Sequence, residues 1–155
     1  DKGIGIVAPH KAQKAKIQND LLQYFDNYIE SITDIKTREK LKEKIMSSVD
    51  TVEKYQGQQR EIMICSYILG DRDIIKEEEE FIYNSNRLNV VVSRARFKII
   101  ILASQELLLN IGDDIEIVEE QKSFQKLITY CDKEKKILQS EWKQKNGIMR
   151  YKELK

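Results

Sequence analysis

Asn84-Ser85-Asn86-Arg87-Leu88-Asn89-Val90-Val91-Val92-Ser93-Arg94-Ala95-Arg96 runs without a break into Phe97-Lys98-Ile99-Ile100-Ile101-Leu102-Ala103. In the first part Leu88, Val91, Val92 and Ala95 share one face at helical spacing, so residues 84–96 predict a helix. The second part is short and almost wholly apolar, which predicts a strand buried on both faces. A helix feeding straight into such a strand is half of a βαβ unit, and its partner strands must lie upstream.

Three upstream segments fit. Glu61-Ile62-Met63-Ile64-Cys65-Ser66-Tyr67 reads as a second buried strand and Ser48-Val49-Asp50-Thr51-Val52 as a short one. Gly3-Ile4-Gly5-Ile6-Val7-Ala8-Pro9 reads as a third, stopped by the proline. Between them Ala12, Ala15, Ile17, Leu21, Leu22, Phe25 and Ile29 predict an amphipathic helix over residues 11–30. Residues 33–44 predict a solvated helical insertion, and residues 70–80 a charged loop whose Glu77–Glu80 run serves solubility. Residues 106–155 read as mostly helical, with Phe124, Leu127, Ile128, Cys131, Ile137 and Leu138 as packing positions. The fold class is therefore α/β, a parallel sheet with helices on both faces. Ligands of such sheets sit outside the carboxyl ends of the strands, here Pro9-His10, residues 51–59, residues 66–73 and Ala103-Ser104.

Composition narrows the function classes. A chain of 155 residues has room for one domain with a real core. With 41% hydrophobic residues, 1 Pro and 6 Gly, it is neither collagen-like nor Pro-rich nor wholly disordered. Lys+Arg 27 against Asp+Glu 26 leaves no global field for a polyanion, so a nucleic-acid surface has to be local. No apolar run is long enough for a membrane helix, and no secretory leader follows Asp1. Cys65 and Cys131 are too far apart for a paired-ligand motif, and with 1 His no metal site is expected. A soluble domain of the cytoplasm or another intracellular compartment is the expectation.

Complete active-site motifs are missing. Gly3-x-Gly5-x-x-Ala8 matches a dinucleotide fingerprint formally, but its glycines fall inside or before the strand, so they read as strand glycines under packed neighbours. None of the six glycines is followed by Lys and then Ser or Thr, so there is no Walker A loop. Two segments stand out all the same. Residues 51–61 (Thr-Val-Glu-Lys-Tyr-Gln-Gly-Gln-Gln-Arg-Glu) make a polar turn between buried strands, where Gly57 permits close approach of a ligand. Arg94 and Arg96 stand just before a buried strand, where a guanidinium can project toward a phosphate.

Taken together and in order, these segments resemble the second (C-terminal) RecA-like domain of superfamily 1 helicases, in the branch of the RNA-surveillance and Okazaki-fragment-processing enzymes. Residues 4–13 (Ile-Gly-Ile-Val-Ala-Pro-His-Lys-Ala-Gln) look like motif IV, residues 51–66 like motif V, and residues 87–96 (Arg-Leu-Asn-Val-Val-Val-Ser-Arg-Ala-Arg) like motif VI. The resemblance covers Gly3 to about Ser104, and motifs V and VI are its specific part.

The resemblance implies that ATP with Mg2+ is held mainly by an N-terminal RecA-like domain of the same parent protein, and that Arg94 is the arginine finger. It implies that Gln56, Gly57, Gln59 and Arg96 lie beside the nucleotide, and that His10 and Thr51 contact single-stranded DNA or RNA. His10 replaces the family's usual tyrosine and Glu53 its aspartate. Gln59 takes the place of a glutamate that engages the nucleotide sugar; an amide accepts a hydrogen bond there but carries no charge. The expected function is the C-terminal motor half of a helicase or translocase, inactive alone for want of Walker A and B motifs. The alternative is a degenerate RecA-like scaffold in a repair or defence complex. Relatives carry further sequence of the same domain before this first strand, which implies a piece of a larger protein. The expected division is a motor domain over 1–110, with its insertion at about 32–47, and a helical extension over 111–155 packing on it.

Overall fold

The computed structural model describes residues 3–55, 57–133, 138–142 and 149–153. In chain order these form β1 (Ile4–Val7), α1 (Lys11–Ser31), α2 (Ile35–Ser47), β2 (Val49–Asp50), a 3-10 turn (Val52–Tyr55), β3 (Arg60–Tyr67), α3 (Arg72–Glu77), α4 (Glu79–Ile82), α5 (Ser85–Val92), β4 (Ala95–Ala103), α6 (Gln105–Leu109), α7 (Ile115–Lys133), β5 (Leu138–Trp142) and β6 (Met149–Glu153). The first four strands make one parallel sheet in the order β2-β1-β3-β4. Because β1→β2 and β3→β4 step in opposite directions, right-handed crossovers put α1 and α5 on opposite faces. This is the RecA-like α/β arrangement.

The two faces are not equally closed. Val7, Met63, Cys65 and Tyr67 alternate toward a fully buried face. Gly5 belongs to the same face, and a Cβ there would meet Arg60 Cγ at 2.7 Å and Met63 Sδ at 2.8 Å, so the glycine is there for packing. On the other face the register sets Ile4 beside Ile62 and Lys98, then Ile6 beside Ile64 and Ile100. Ile4 is 52% exposed there, Ile100 39% and Leu102 42%. β4 therefore differs from the expected strand buried on both faces: it ends the sheet among the described residues, and Phe97 is 76% exposed.

Three more expectations are corrected. Ala12, Ala15 and Phe25 are exposed; α1 packs through buried Ile29 and half-buried Ile17, Leu21 and Leu22, and polar tethers add to them. Buried Gln18 donates to the carbonyls of Met46 (2.7 Å) and Val49 (3.3 Å), Lys14 pairs with Asp50 at 2.8 Å, and Gln13 donates to Ser66 Oγ at 2.9 Å. Residues 70–80 are not a loop: Asp71 caps α3 by accepting from the Asp73 amide at 2.9 Å, and buried Ile75 and Ile82 anchor α3 and α4. The tail is helical through Lys133 and then forms the antiparallel pair β5–β6, with Ser140 opposite Tyr151. Met149 and Tyr151 of β6 recur at a two-residue period, whereas Leu138 and Trp142 of β5 stand four apart, a spacing that does not favour a strand over a helix.

The chain divides into two compact units, residues 1–111 and 112–155. The first holds the parallel sheet; the second holds α7 and the β5–β6 pair. No described helix is long and apolar enough to cross a membrane.

Candidate functional site

The sequence-selected residues gather at two opposite ends of the parallel sheet. At the carboxyl ends of β1 and β2, the Ala8 amide donates to the Asp50 carbonyl at 3.1 Å, which sets His10 and Thr51 on neighbouring strand ends. His10 follows Pro9 and precedes α1 without capping it. Its ring stacks on Phe81 at 5.4 Å and 21°, and Nε2 lies 2.8 Å from Glu78. Neither atom of that contact has a partner at hydrogen-bond angles, so it is an ion contact when the imidazole is protonated and not a directed bond. The Thr51 amide donates to its neighbour Asp50 at 2.9 Å.

Two residues with no role in the sequence reading join this end. Arg87 pairs with Glu53 at 2.5 Å, and its guanidinium carbon lies 3.6 Å from the centre of the Phe81 ring. Burial raises the Glu53 carboxyl, but its own backbone amide, the Thr51 hydroxyl and Arg87 together outweigh burial and hold it below the ordinary carboxylate value. The sequence did carry one signal for this pair. Arg87 stands in the first turn of α5, where the helix dipole disfavours a cation unless an acid answers it. Glu78, expected to serve solubility, is instead the acid against His10.

At the amino ends of β3 and β4 lies the second group. Gly57 has φ 75°, and a Cβ built there would meet nothing within 4 Å, so the backbone is open to a close-lying ligand. Gln59 beside it is exposed. The Arg60 guanidinium braces this turn through Gln58 Oε1 at 2.9 Å and the Gln59 carbonyl at 3.1 Å. The Arg60 amide donates to the Arg94 carbonyl at 3.0 Å, which fixes Arg94 beside the turn. The Arg94 side chain is folded onto its own helix end: Nε donates to the Val90 carbonyl at 3.1 Å and Nη2 to Ser93 Oγ at 3.0 Å. Arg96 is exposed on β4, 5.7 Å from the Phe97 ring centre. Gln56 lies outside the described residues.

The structure thus brings Gly57, Gln59 and Arg94 together at one pole and His10 with Thr51 at the other. Residues 51–60 run from the second pole to the first. Beneath them the interior is inert: burial pushes the Cys65 thiol up to about 12 and the Tyr67 phenol further above its usual range.

Comparison with known proteins bears on this arrangement. The sequence profile of the AAA domain family matches residues 1–106. The chain belongs to the AAA domain family. Within it, the chain is a C-terminal RecA-like domain of the superfamily 1 helicase type. It is 28% identical over 132 residues to the probable helicase senataxin of Homo sapiens, covering 85% of this chain and 4% of that one. It is 33% identical over 99 residues to the human DNA replication ATP-dependent helicase/nuclease DNA2, covering 64% and 7%. Helicase SEN1 of Saccharomyces cerevisiae is 26% identical over 128 residues, covering 83% and 5%. The chain therefore spans only a small part of these relatives, and residues 1–106, which the family profile matches, hold both poles.

Proposed function

We propose that this AAA domain is the C-terminal motor half of an ATP-dependent DNA or RNA helicase or translocase. In this reading Arg94 serves as arginine finger, Gln56, Gly57, Gln59 and Arg96 face the nucleotide, and His10 and Thr51 face a single strand. One observation carries the reading: the segment that begins at Thr51 ends at Arg60, whose amide holds the backbone of Arg94. A single stretch of chain therefore touches both poles, as a device coupling hydrolysis to movement requires.

The residues of the nucleotide pole fit a triphosphate. Arg94 offers a planar, permanently charged fork, Gln59 an exposed amide, and Gly57 an open backbone. Arg94 needs only to exchange two hydrogen bonds at its helix end for phosphate oxygens. Each such bond contributes about 0.5–1.5 kcal/mol net, and a charged phosphate acceptor returns more. Bound ATP with Mg2+ supplies the phosphoryl group that is transferred to water. Its principal ligands belong to the N-terminal RecA-like domain of the parent protein, since this sequence has no Walker A loop.

Kinetics of the parent protein test the proposal. Arg94→Ala is expected to lower kcat by about 10²–10³ with ATP affinity changed only several-fold, because the contact belongs to the transition state. Arg94→Lys is expected to fail as well, since an ammonium does not reproduce the fork. An unchanged kcat in both variants removes Arg94 from the site. It would favour the second reading, a RecA-like scaffold, to which the uncharged Gln59 already lends weight.

A further inference from the structure

We propose that the Glu53–Arg87 ion pair is the strut through which a single strand at the carboxyl pole controls Arg94 at the amino pole. The inference rests on the motor reading and adds a positioning pair to it. Neither residue belongs to the nucleotide or strand sites of that reading, and no local sequence motif joins them.

Arg87 is poorly placed for the stability of its own helix. It sits in the first turn of α5, where the dipole is unfavourable to a cation, yet two contacts hold it there: Glu53 at 2.5 Å and the Phe81 ring at 3.6 Å. Glu53 in turn lies in the 3-10 turn, two residues after Thr51. Its side chain is 54% exposed against 24% for Arg87, so the pair is accessible from the acidic side.

From Arg87 onward the helix is one rigid body. α5 spans eight residues, about 12 Å at 1.5 Å per residue, and packs against the 3-10 turn, β3 and β4. Arg94 comes directly after its C-cap Ser93, and its side chain holds the Val90 carbonyl of the same helix. Any rotation of the start of α5 therefore moves the groups that now hold the Arg94 guanidinium. Through the Arg60 amide it also reaches the turn carrying Gln59.

A phosphate arriving at Thr51 repels the neighbouring Glu53 carboxylate and attracts Arg87. The ion pair then lengthens, and α5 turns as a unit and carries Arg94 toward the nucleotide. No covalent bond is made or broken in this step; one ion pair changes its geometry. An occupied strand site thereby presents the finger, and an empty one withholds it.

The test uses the parent protein and compares ATP turnover with and without a homopolymeric single strand. Glu53→Gln and Arg87→Gln are expected to raise strand-free turnover at least about threefold, because neither variant can hold α5 in the withholding position, and to cut stimulation by the strand at least about fivefold, the scale of ordinary site-to-site coupling. Strand affinity without nucleotide is expected to stay within about threefold, and the double exchange Glu53→Arg with Arg87→Glu, which re-forms an ion pair, to bring strand-free turnover back to within about twofold of the unsubstituted level. Exposed Glu53 provides the variant that keeps the fold, checked by its melting temperature. Stimulation that survives both single substitutions overturns the strut alone, and so does a loss that merely tracks strand affinity, or strand-free turnover that does not rise in the single variants or is not lowered again by the exchange. An unsubstituted parent with no strand-stimulated turnover overturns the motor reading and the strut with it.

Discussion

At position 59 the chain departs from the pattern it otherwise matches, and the structure gives that departure a consequence. Gln59 is exposed beside an open Gly57, so a carboxylate placed there would not have to be buried. Hydrogen bonds to a charged acceptor contribute about 1.5–3 kcal/mol against about 0.5–1.5 kcal/mol for a neutral pair. Gln59→Glu in the parent protein is therefore expected to tighten ATP binding about two- to fivefold, with the neighbouring triphosphate opposing a larger gain. The measurement is equilibrium binding of ATP and of an analogue lacking the sugar hydroxyl. Equal affinities for both, unchanged by the substitution, would mean that residue 59 faces something other than the sugar. The places of His10 and Thr51 at carboxyl strand ends, and of Arg94 at a helix end before a strand, were legible; Gln59 was grouped with the carboxyl-end loops and lies instead at the amino end of β3. The Glu53–Arg87 and His10–Glu78 contacts were not legible, because each joins side chains from distant segments and no local spacing announces it.

Among the elements, α5 was the easiest to read, since Leu88 and Val91 are apolar at helical spacing and both are buried. The helix expected over 84–96 nevertheless ends at Val92, which is exposed, and Ala95 and Arg96 already belong to β4. β4 was harder. Its run of isoleucines hides which face is covered, and only the sheet order reveals that it is an edge. Helices α3 and α4 were hidden by the Glu77–Glu80 run, although Asp71 two residues ahead of Asp73 is a readable cap. That cap supports the element that leads into Glu78 and Phe81. Asp71→Ala is expected to cost about 0.5–2 kcal/mol, because the amides of Asp73 and Ile74 lose their acceptor. Urea denaturation of the 155-residue chain would show it as a lowered midpoint at unchanged slope. A midpoint equal to that of the unsubstituted chain would leave α3 anchored by Ile75 alone.

Across the whole molecule, a net charge of +1 and the pairing of local cations set what the chain can do by itself. Lys14 is engaged by Asp50 and Arg87 by Glu53, so a phosphate must displace an acid before it gains either. Binding of a single strand by the chain alone is accordingly expected to be weak, with a plot of log affinity against log salt sloping by about −1 to −2. Fluorescence anisotropy over a salt series measures this, and tight, salt-independent binding would relocate the nucleic-acid surface. The sheet order β2-β1-β3-β4 also bears on how the protein is made. Of these four strands β1 leaves the ribosome first; β2 then adds to one of its sides, β3 to the other, and β4 to the outside of β3. Every new strand meets a free margin, and none has to be threaded between two that are already joined. Because each pairing links segments far apart in sequence, growth is slow at every step. Its order nevertheless coincides with the order of synthesis, so the nascent chain can assemble its sheet outward from β1 as it emerges.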